Sequence, residues 1–266
     1  MLQDAIHAWT IGGINQLGEA EKRRIYSLLI PNNLRTMFDL ASNFYDKEQK
    51  NLLKLVCRDG SSSAEMELRH LFKFPDPILY GHITDTLNGR IHVLLYVLND
   101  PTSPRFDIDR LPDGKPTKFG TLARNIEAEK SAMEFGLAPG QVRRGLRLLG
   151  QAIQSFEEFV IALGQEYYSV EPLYYHNAIL FERFGFTYQQ GRKLMLRLHD
   201  GFEVTGDLLH KLDGSTPFRK PEAAKSIRLR SWAIHDNLLG EPFTNVIMYK
   251  QVGKSADLNS CPDCAW

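Results

Sequence analysis

Apolar residues in the first part of the chain recur at helical spacing. Between Gly18 and Phe38 this run breaks at Ile30-Pro31, where a proline ends one helix and an asparagine can cap the next. The second run continues towards Asp59-Gly60, a turn signal. The pattern therefore predicts an N-terminal helical segment over residues 1–60.

After this segment, apolar residues recur at every second position. Ala64, Met66 and Leu68 alternate with charged residues, as in a half-buried strand. Two further β-rich runs follow, and Asn88-Gly89 between them is a strong hairpin signal, because a type I′ turn needs positive φ at both central positions. Three antiparallel strands are therefore expected over 64–98.

The same turn predicts which side chains face each other. With two residues in the turn, Asp85 lies opposite His92 on one face of the sheet. A carboxylate beside an imidazole can orient a general base or a metal ligand, and it can equally be an ordinary cross-strand pair. His82 falls on the opposite face, so His82 and His92 cannot bind one metal from this hairpin alone.

The remaining chain alternates helical and strand-like runs. The pattern predicts helices near 122–135, 142–163 and 173–184, a strand at 165–171, strand-like residues at 187–198, a loop at 230–243 and a final strand at 241–252. Proline, glycine and aspartate mark one insertion at 100–122, and a second is expected at 200–240. The fold class expected is mixed α/β (α+β), a single domain over 1–266 with a mostly antiparallel central sheet flanked by helices.

Composition and charge narrow the classes of partner. The 266 residues include 43% apolar and 24% charged residues, which is ordinary for a globular protein with a sizeable core. Because 32 basic residues balance 32 acidic ones, no global field attracts nucleic acid or an anionic membrane. No run reaches the length of a membrane helix, and the first residues lack the order of a signal peptide. A cytoplasmic protein with a small-molecule substrate is expected.

The cysteines leave several interpretations open. An odd total of three, Cys57, Cys261 and Cys264, disfavours a secreted disulfide scaffold. The CxxC of the tail can be two thiols on a frayed end, a redox pair, or half of a zinc site. A zinc ion shared between two copies of the chain would make a homodimer.

The run NAILFERFGF, residues 177–186, resembles the fourth-helix signature of the GNAT acyltransferase superfamily, in which an asparagine precedes a helix that ends at a Gly-Phe step. The predicted order of elements over about 20–200 is also similar to that of this family. The resemblance implies a GNAT-like fold and acetyl-CoA or another acyl-CoA as cofactor. It also implies N-acyl transfer to a small-molecule acceptor.

The resemblance further implies where the cofactor binds. In the family, backbone N–H groups of a glycine-containing loop that opens the third helix hold the pyrophosphate. In this chain the matching run is LAPGQVRRGLRLLG. It implies Gly140, Arg143, Arg144 and Gly145 as cofactor-binding residues, at a helix that begins near Gly140 to Gly145. The alternative is a plain helix with solvated arginines.

Two positions depart from the family pattern. Arg147 replaces the usual second small residue of the loop, and Phe181 stands where the family has a proton-donating tyrosine. Tyr175, His176 and Asn177 provide a donor, a titratable base and an amide within one turn at the strand-to-helix junction, so they are the predicted catalytic residues. The competing interpretation is that they belong to the core and the helix cap. No metal-binding set is predicted.

Two functions therefore remain open. The first is an acyl-CoA-dependent N-acyltransferase. The alternative is a GNAT-like protein with altered or no acyl transfer, either a ligand-binding module or an enzyme that uses histidine, aspartate and tyrosine, with or without a metal.

Overall fold

The computed structural model describes residues 9–117 and 123–266. Residues 1–8 of the predicted N-terminal helical segment and residues 118–122 of the predicted insertion lie outside the described residues. Helices and strands follow along the chain in the order α1 Ile11–Ile14, α2 Glu19–Tyr26, α3 Asn32–Met37, β1 Leu53–Val56, β2 Ser63–Leu68, β3 Leu79–Asp85, β4 Ile91–Leu98, α4 Ile126–Phe135, α5 Leu149–Ala162, β5 Tyr167–Val170, α6 Tyr175–Arg183, β6 Thr187–Gln190, α7 Arg192–Phe202, α8 Asp207–His210, α9 Ile227–His235 and β7 Ile247–Gln251.

Seven strands of the described chain form one sheet in the order β1-β2-β3-β4-β5-β7-β6. The first four strands pair antiparallel with their neighbours, whereas β4 and β5 pair in parallel. The last strand along the chain, β7, lies inside the sheet next to β5 and β6. The predicted α+β class with a mostly antiparallel sheet is confirmed.

The strand pattern over 64–98 is confirmed by β2, β3 and β4, but the helical segment predicted over 1–60 extends too far. Helix α3 ends at Met37, and β1 pairs with β2 from Leu53 opposite Leu68 onwards. Leu53 and Leu55 alternate with Lys54, which is a strand period. The run is too short to separate from a helical one by sequence alone.

The hairpin between β3 and β4 has a three-residue loop, one residue longer than predicted. Thr86 N–H donates to the Arg90 carbonyl at 2.8 Å, and Gly89, at φ +71°, is the left-handed residue that such a loop requires. The pairing therefore shifts by one residue, and Thr84 rather than Asp85 lies opposite His92. The predicted Asp85–His92 pair is wrong.

The two side chains have other roles. The Asp85 carboxylate accepts from the N–H groups of Ile11 and Gly12, each at 2.8 Å, and so caps the start of α1. The His92 ring is bonded through Nδ1 to the Ser169 hydroxyl at 2.8 Å, which ties β4 to β5. Burial lowers the pKa of His92, and the nearby Glu171 offsets part of that shift.

The chain divides into two compact units. The first consists of residues 1–102, 145–171 and 249–254, and the second of 103–144, 172–248 and 255–266. Aromatic side chains fill the first unit, where Phe156 of α5 packs on Tyr96 and Tyr168 with ring centroids 5.0 and 5.7 Å apart. The core of the second unit comprises Ile108, Ala132, Met133, Leu137, Phe218 and Trp232. A single domain over 1–266 stays a prediction, because two compact units can belong to one domain.

The second unit contains two helices where the sequence pattern predicted other structure. The first part of the strand-like run is strand β6, but helix α7 replaces the rest, because Gly191 at φ +97° ends β6 and Met195, Leu198 and Phe202 then bury one helical face. Helix α9 replaces the first part of the loop predicted over 230–243, as far as His235, and turns follow it. Ser226 caps the first turn of α9 by accepting from the Leu229 N–H.

Candidate functional site

In the first unit, strands β4 and β5 part from each other after a short parallel contact. Their register covers two pairs, His92 with Ser169 and Val93 with Val170, and Glu171 N–H adds a bond to the Val93 carbonyl at 3.3 Å. Strand β5 ends at Val170 while β4 continues to Leu98. The carboxyl-terminal half of β4 therefore has a backbone edge without a β5 partner.

Helix α5 begins in the chain segment that returns to the end of β4. Gly145 forms an isolated antiparallel β-bridge with Asn99, and Leu146 N–H donates to the Leu98 carbonyl at 3.3 Å. The helix then starts at Leu149, and its N-cap, Leu148, supplies no side-chain hydrogen bond. Its first turn carries no acidic residue. Such an uncapped helix start presents unpaired backbone N–H groups and the positive end of the helix dipole.

Arg147 precedes this helix in a left-handed conformation, with φ +58°. Its side chain is exposed, as are Gly150 and Gln151 in the first turn. By sequence, Arg147 is a departure from the family's loop, and these residues are not among the predicted cofactor-binding ones. Left-handed backbone is costly for an arginine and has no signature in an arginine-rich run, so only the structure reveals it.

The predicted cofactor residues do not open a helix, because α5 begins at Leu149 and not near Gly140 to Gly145. Gly140, at φ +81°, lies so close to Tyr174 that a Cβ atom there would be 2.4 Å from the ring. Arg143 is buried and its guanidinium donates to the Ser103 carbonyl. These two residues therefore have structural roles within the second unit.

The other two predicted residues differ in position. The Arg144 guanidinium lies 4.9 Å from the centre of the Phe135 ring, and its backbone N–H donates to the Ser103 hydroxyl at 3.2 Å. Gly145 belongs to the first unit, in the bridge to Asn99. Of the four, Gly145 alone lies in the segment that leads into α5.

The predicted catalytic residues begin α6 in the second unit, and two of the three are buried. Tyr175 is 1% exposed and His176 is 2% exposed, whereas Asn177 is half-buried. Burial raises the pKa of Tyr175, with Arg230 acting in the opposite direction. The catalytic role of these residues stays a prediction, and the structure shows that the first two pack as core residues.

His176 is surrounded by aromatic and hydroxyl groups. Its Nδ1 lies 2.9 Å from the Ser231 hydroxyl, and its ring lies 5.7 Å from Tyr174 and 6.1 Å from Trp266, measured between centroids. Burial, together with the charge of the neighbouring His235, lowers the pKa of His176 to about 3. The imidazole is therefore not the near-neutral base that its residue type predicts.

A charged network lies next to this histidine pair. The buried Glu129 carboxylate accepts from Arg124 Nε at 2.9 Å and from His235 Nε2 at 3.2 Å. Arg124 also donates to Asp236 at 2.9 Å. Burial alone would raise the pKa of Glu129, but hydrogen bonds and charge from His235 and Arg124 outweigh it and hold the pKa below its usual value. Glu129 and His235 are 106 residues apart, so sequence spacing could not reveal the pair.

Tyr174 completes this cluster. Its ring meets that of His235 edge to face, with centroids 5.6 Å apart. Burial and the charge of Glu129 raise the pKa of Tyr174 to about 12, against the opposing effect of Arg124. The Tyr174 hydroxyl therefore keeps its proton at neutral pH.

Phe181 fills the position at which the resemblance implies a proton donor. Its ring packs on Phe186 with centroids 4.9 Å apart. In the described part of the chain, no cluster of three or more histidine, cysteine, aspartate or glutamate residues could hold a metal ion. Within the same residues, no helix is both long and apolar enough to span a bilayer.

Comparison of the chain with protein-family models, with curated proteins and with solved structures yields no match.

Proposed function

We propose that the first unit binds an acyl-CoA-type ligand and that the chain transfers the acyl group to a small-molecule acceptor. The observation that carries this proposal is the parting of β4 from β5 beside the uncapped start of α5. The parting of the strands offers a backbone edge of β4, and the start of α5 offers an anion site.

The two features match the two chemical parts of such a ligand. A pyrophosphate suits the free N–H groups and dipole of a helix start, and the exposed Arg147 adds a positive charge there. The amide-containing arm of the ligand can hydrogen-bond to an unpaired strand edge in the way that an added β-strand does. The edge of β4 over residues 94–97, before the Leu98 carbonyl that accepts from Leu146, provides such groups.

A charge substitution at the helix start tests the ligand. Gly150→Glu places a carboxylate in the first turn of α5 at an exposed position. We expect CoA and acetyl-CoA to bind at least about tenfold more weakly, since anion repulsion of roughly 1.4 kcal/mol is enough for that factor. The same change should leave the melting temperature unchanged or raise it, because glutamate is a better helix former than glycine and favours the N-terminus.

The matched control is Ile161→Glu, which adds the same charge at an exposed position near the other end of α5. Isothermal titration with CoA should give the wild-type dissociation constant for this control. If wild-type protein shows no binding at millimolar CoA, or if Gly150→Glu binds as tightly as Ile161→Glu, the proposal is wrong.

A second candidate function is ligand binding without transfer, and the position of Phe181 favours it. A phenylalanine packed on Phe186 cannot protonate a departing thiolate. Release of free CoA thiol from acetyl-CoA, measured with a panel of primary amines, separates the two functions. Amine-dependent release supports transfer, whereas tight binding without release supports a binding module.

A further inference from the structure

The two cysteines of the tail form a disulfide, Cys261 to Cys264, with Cα atoms 5.4 Å apart. Cys261 is 1% exposed, and Cys264 is half-buried. The tail is therefore not the frayed end with two thiols that its position in the sequence suggested. Of the three interpretations of the CxxC, a disulfide fits the redox pair, and the redox activity itself stays a prediction.

The tail is held in place without the help of this disulfide. Ile227 N–H donates to the Ala265 carbonyl at 2.8 Å, and Ala265 N–H donates to the Lys225 carbonyl at 3.1 Å. On the other side, the Glu182 carboxylate accepts from the Ser260 N–H at 2.6 Å and from its hydroxyl at 2.5 Å. A crosslink over three residues also closes a very short loop, for which the entropic stabilisation is smallest. Stability alone therefore gives little reason for the pair.

A buried arginine lies against one of the two sulfur atoms. Arg230 is 5% exposed, its Nε donates to the Ala224 carbonyl at 2.8 Å, and its Nη1 lies 3.1 Å from Cys261 Sγ. Within the described residues, no carboxylate forms an ion pair with Arg230. A buried guanidinium without a counter-ion is costly, and a thiolate at Cys261 would provide one.

The geometry points to a thiol–disulfide exchange site at Cys261 and Cys264, in which a small dithiol or a dithiol protein attacks Cys264 and Arg230 stabilises Cys261 as the leaving group. The half-buried Cys264 is the sulfur that an external thiolate can reach. Low-barrier exchange requires a stable leaving thiolate, and a neighbouring arginine provides that stability.

The exchange proceeds in two balanced steps. The external thiolate forms a bond to Cys264 Sγ, the Cys261–Cys264 bond breaks, and Cys261 leaves with the electron pair as a thiolate beside Arg230. The second thiol of the dithiol then attacks the external sulfur and releases Cys264, which takes up a proton. The dithiol is oxidised to a disulfide, and the cysteine pair is reduced by two electrons.

The test uses the full chain with Cys57→Ser, which leaves the tail cysteines as the sole thiols. The folded protein is equilibrated with glutathione buffers of graded ratio, alkylated and weighed by mass spectrometry. We expect a measurable midpoint without denaturant and a glutathione adduct trapped at Cys264. Arg230→Met should shift the equilibrium about tenfold towards the disulfide, and Arg230→Lys should shift it less.

Three results would overturn the proposal: no reduction by millimolar dithiothreitol in the folded state, an adduct at Cys261, or an unchanged equilibrium in Arg230→Met. If that variant does not fold, Cys264→Ser provides a second measurement. Its Cys261 should show thiolate absorbance at 240 nm at neutral pH, and the absence of that absorbance refutes the role of Arg230.

Discussion

Replacing His176 by glutamine should remove much of the acid sensitivity of the second unit. The buried imidazole has its pKa lowered to about 3, whereas an unfolded histidine titrates near 6.5. Between these values the unfolded chain binds one proton more than the folded chain. The free energy of unfolding therefore falls as the pH drops below about 6.5, and the sign is opposite to that of a histidine stabilised in its charged form.

The magnitude follows from the two pKa values. One extra proton on the unfolded chain changes the free energy of unfolding by about 1.4 kcal/mol per pH unit, so wild-type protein should lose about 2 kcal/mol between pH 7.5 and pH 5 through His176. Urea unfolding followed by tryptophan fluorescence measures this loss, because Trp232 stacks on Phe218 in the core of the second unit. His176→Gln should lower the stability at pH 7.5 but flatten its pH dependence by that amount.

The chosen pH window avoids the main carboxylate of the network. Because the pKa of Glu129 is held below its usual value, its contribution to stability is lost only below about pH 4.5. The pKa of His92 shifts in the same direction as that of His176, so wild type, His176→Gln and the exposed control His210→Gln, which all keep His92, are compared at each pH. Equal slopes in wild type and His176→Gln would show that the imidazole is solvated or charged in the folded protein.

Two further substitutions test the packing of the second unit. Gly140→Ala should cost about 2 kcal/mol or more, because it combines left-handed backbone with overlap of the adjacent tyrosine ring. The control Gly114→Ala, at φ +82° with open space around it, should cost only the backbone part, so the difference between the two melting temperatures measures the effect of the overlap. Glu129→Gln should cost about 3 kcal/mol, because it leaves Arg124 with one carboxylate. The free energy of unfolding in urea is compared with that of the exposed control Glu134→Gln. Similar losses in both variants would show that the network is solvated.

The parts of the fold that follow from local pattern were predictable. The alternation of Ala64, Met66 and Leu68 has a single period-two interpretation, and the strand is found there. The start of α5 was not predictable, because the residues before Leu149 continue an apolar and basic run without a break. What ends that run is the left-handed backbone at Arg147, a residue type that gives no signal for it.

The candidate sites were predictable only where their residues are neighbours in sequence. Tyr175 and His176 could be placed at the start of a helix from the proline before them, and the structure has α6 there. Their burial depends on residues far away along the chain, such as Ser231 and Trp266. The contact of Arg230 with Cys261 is likewise set by tertiary packing, so the sequence showed the CxxC but not its cationic neighbour.

The position of β7 inside the sheet affects how the protein can be synthesised. Residues 247–251 lie between β5 and β6, although they leave the ribosome after both of these strands. Until they emerge, the nascent chain carries two strand edges with unpaired backbone groups, which are the sites at which chains aggregate. Long-range closure of this kind also slows folding. Chaperones and slow translation should therefore affect the yield of folded protein more for this chain than for one whose later strands add to an outer edge.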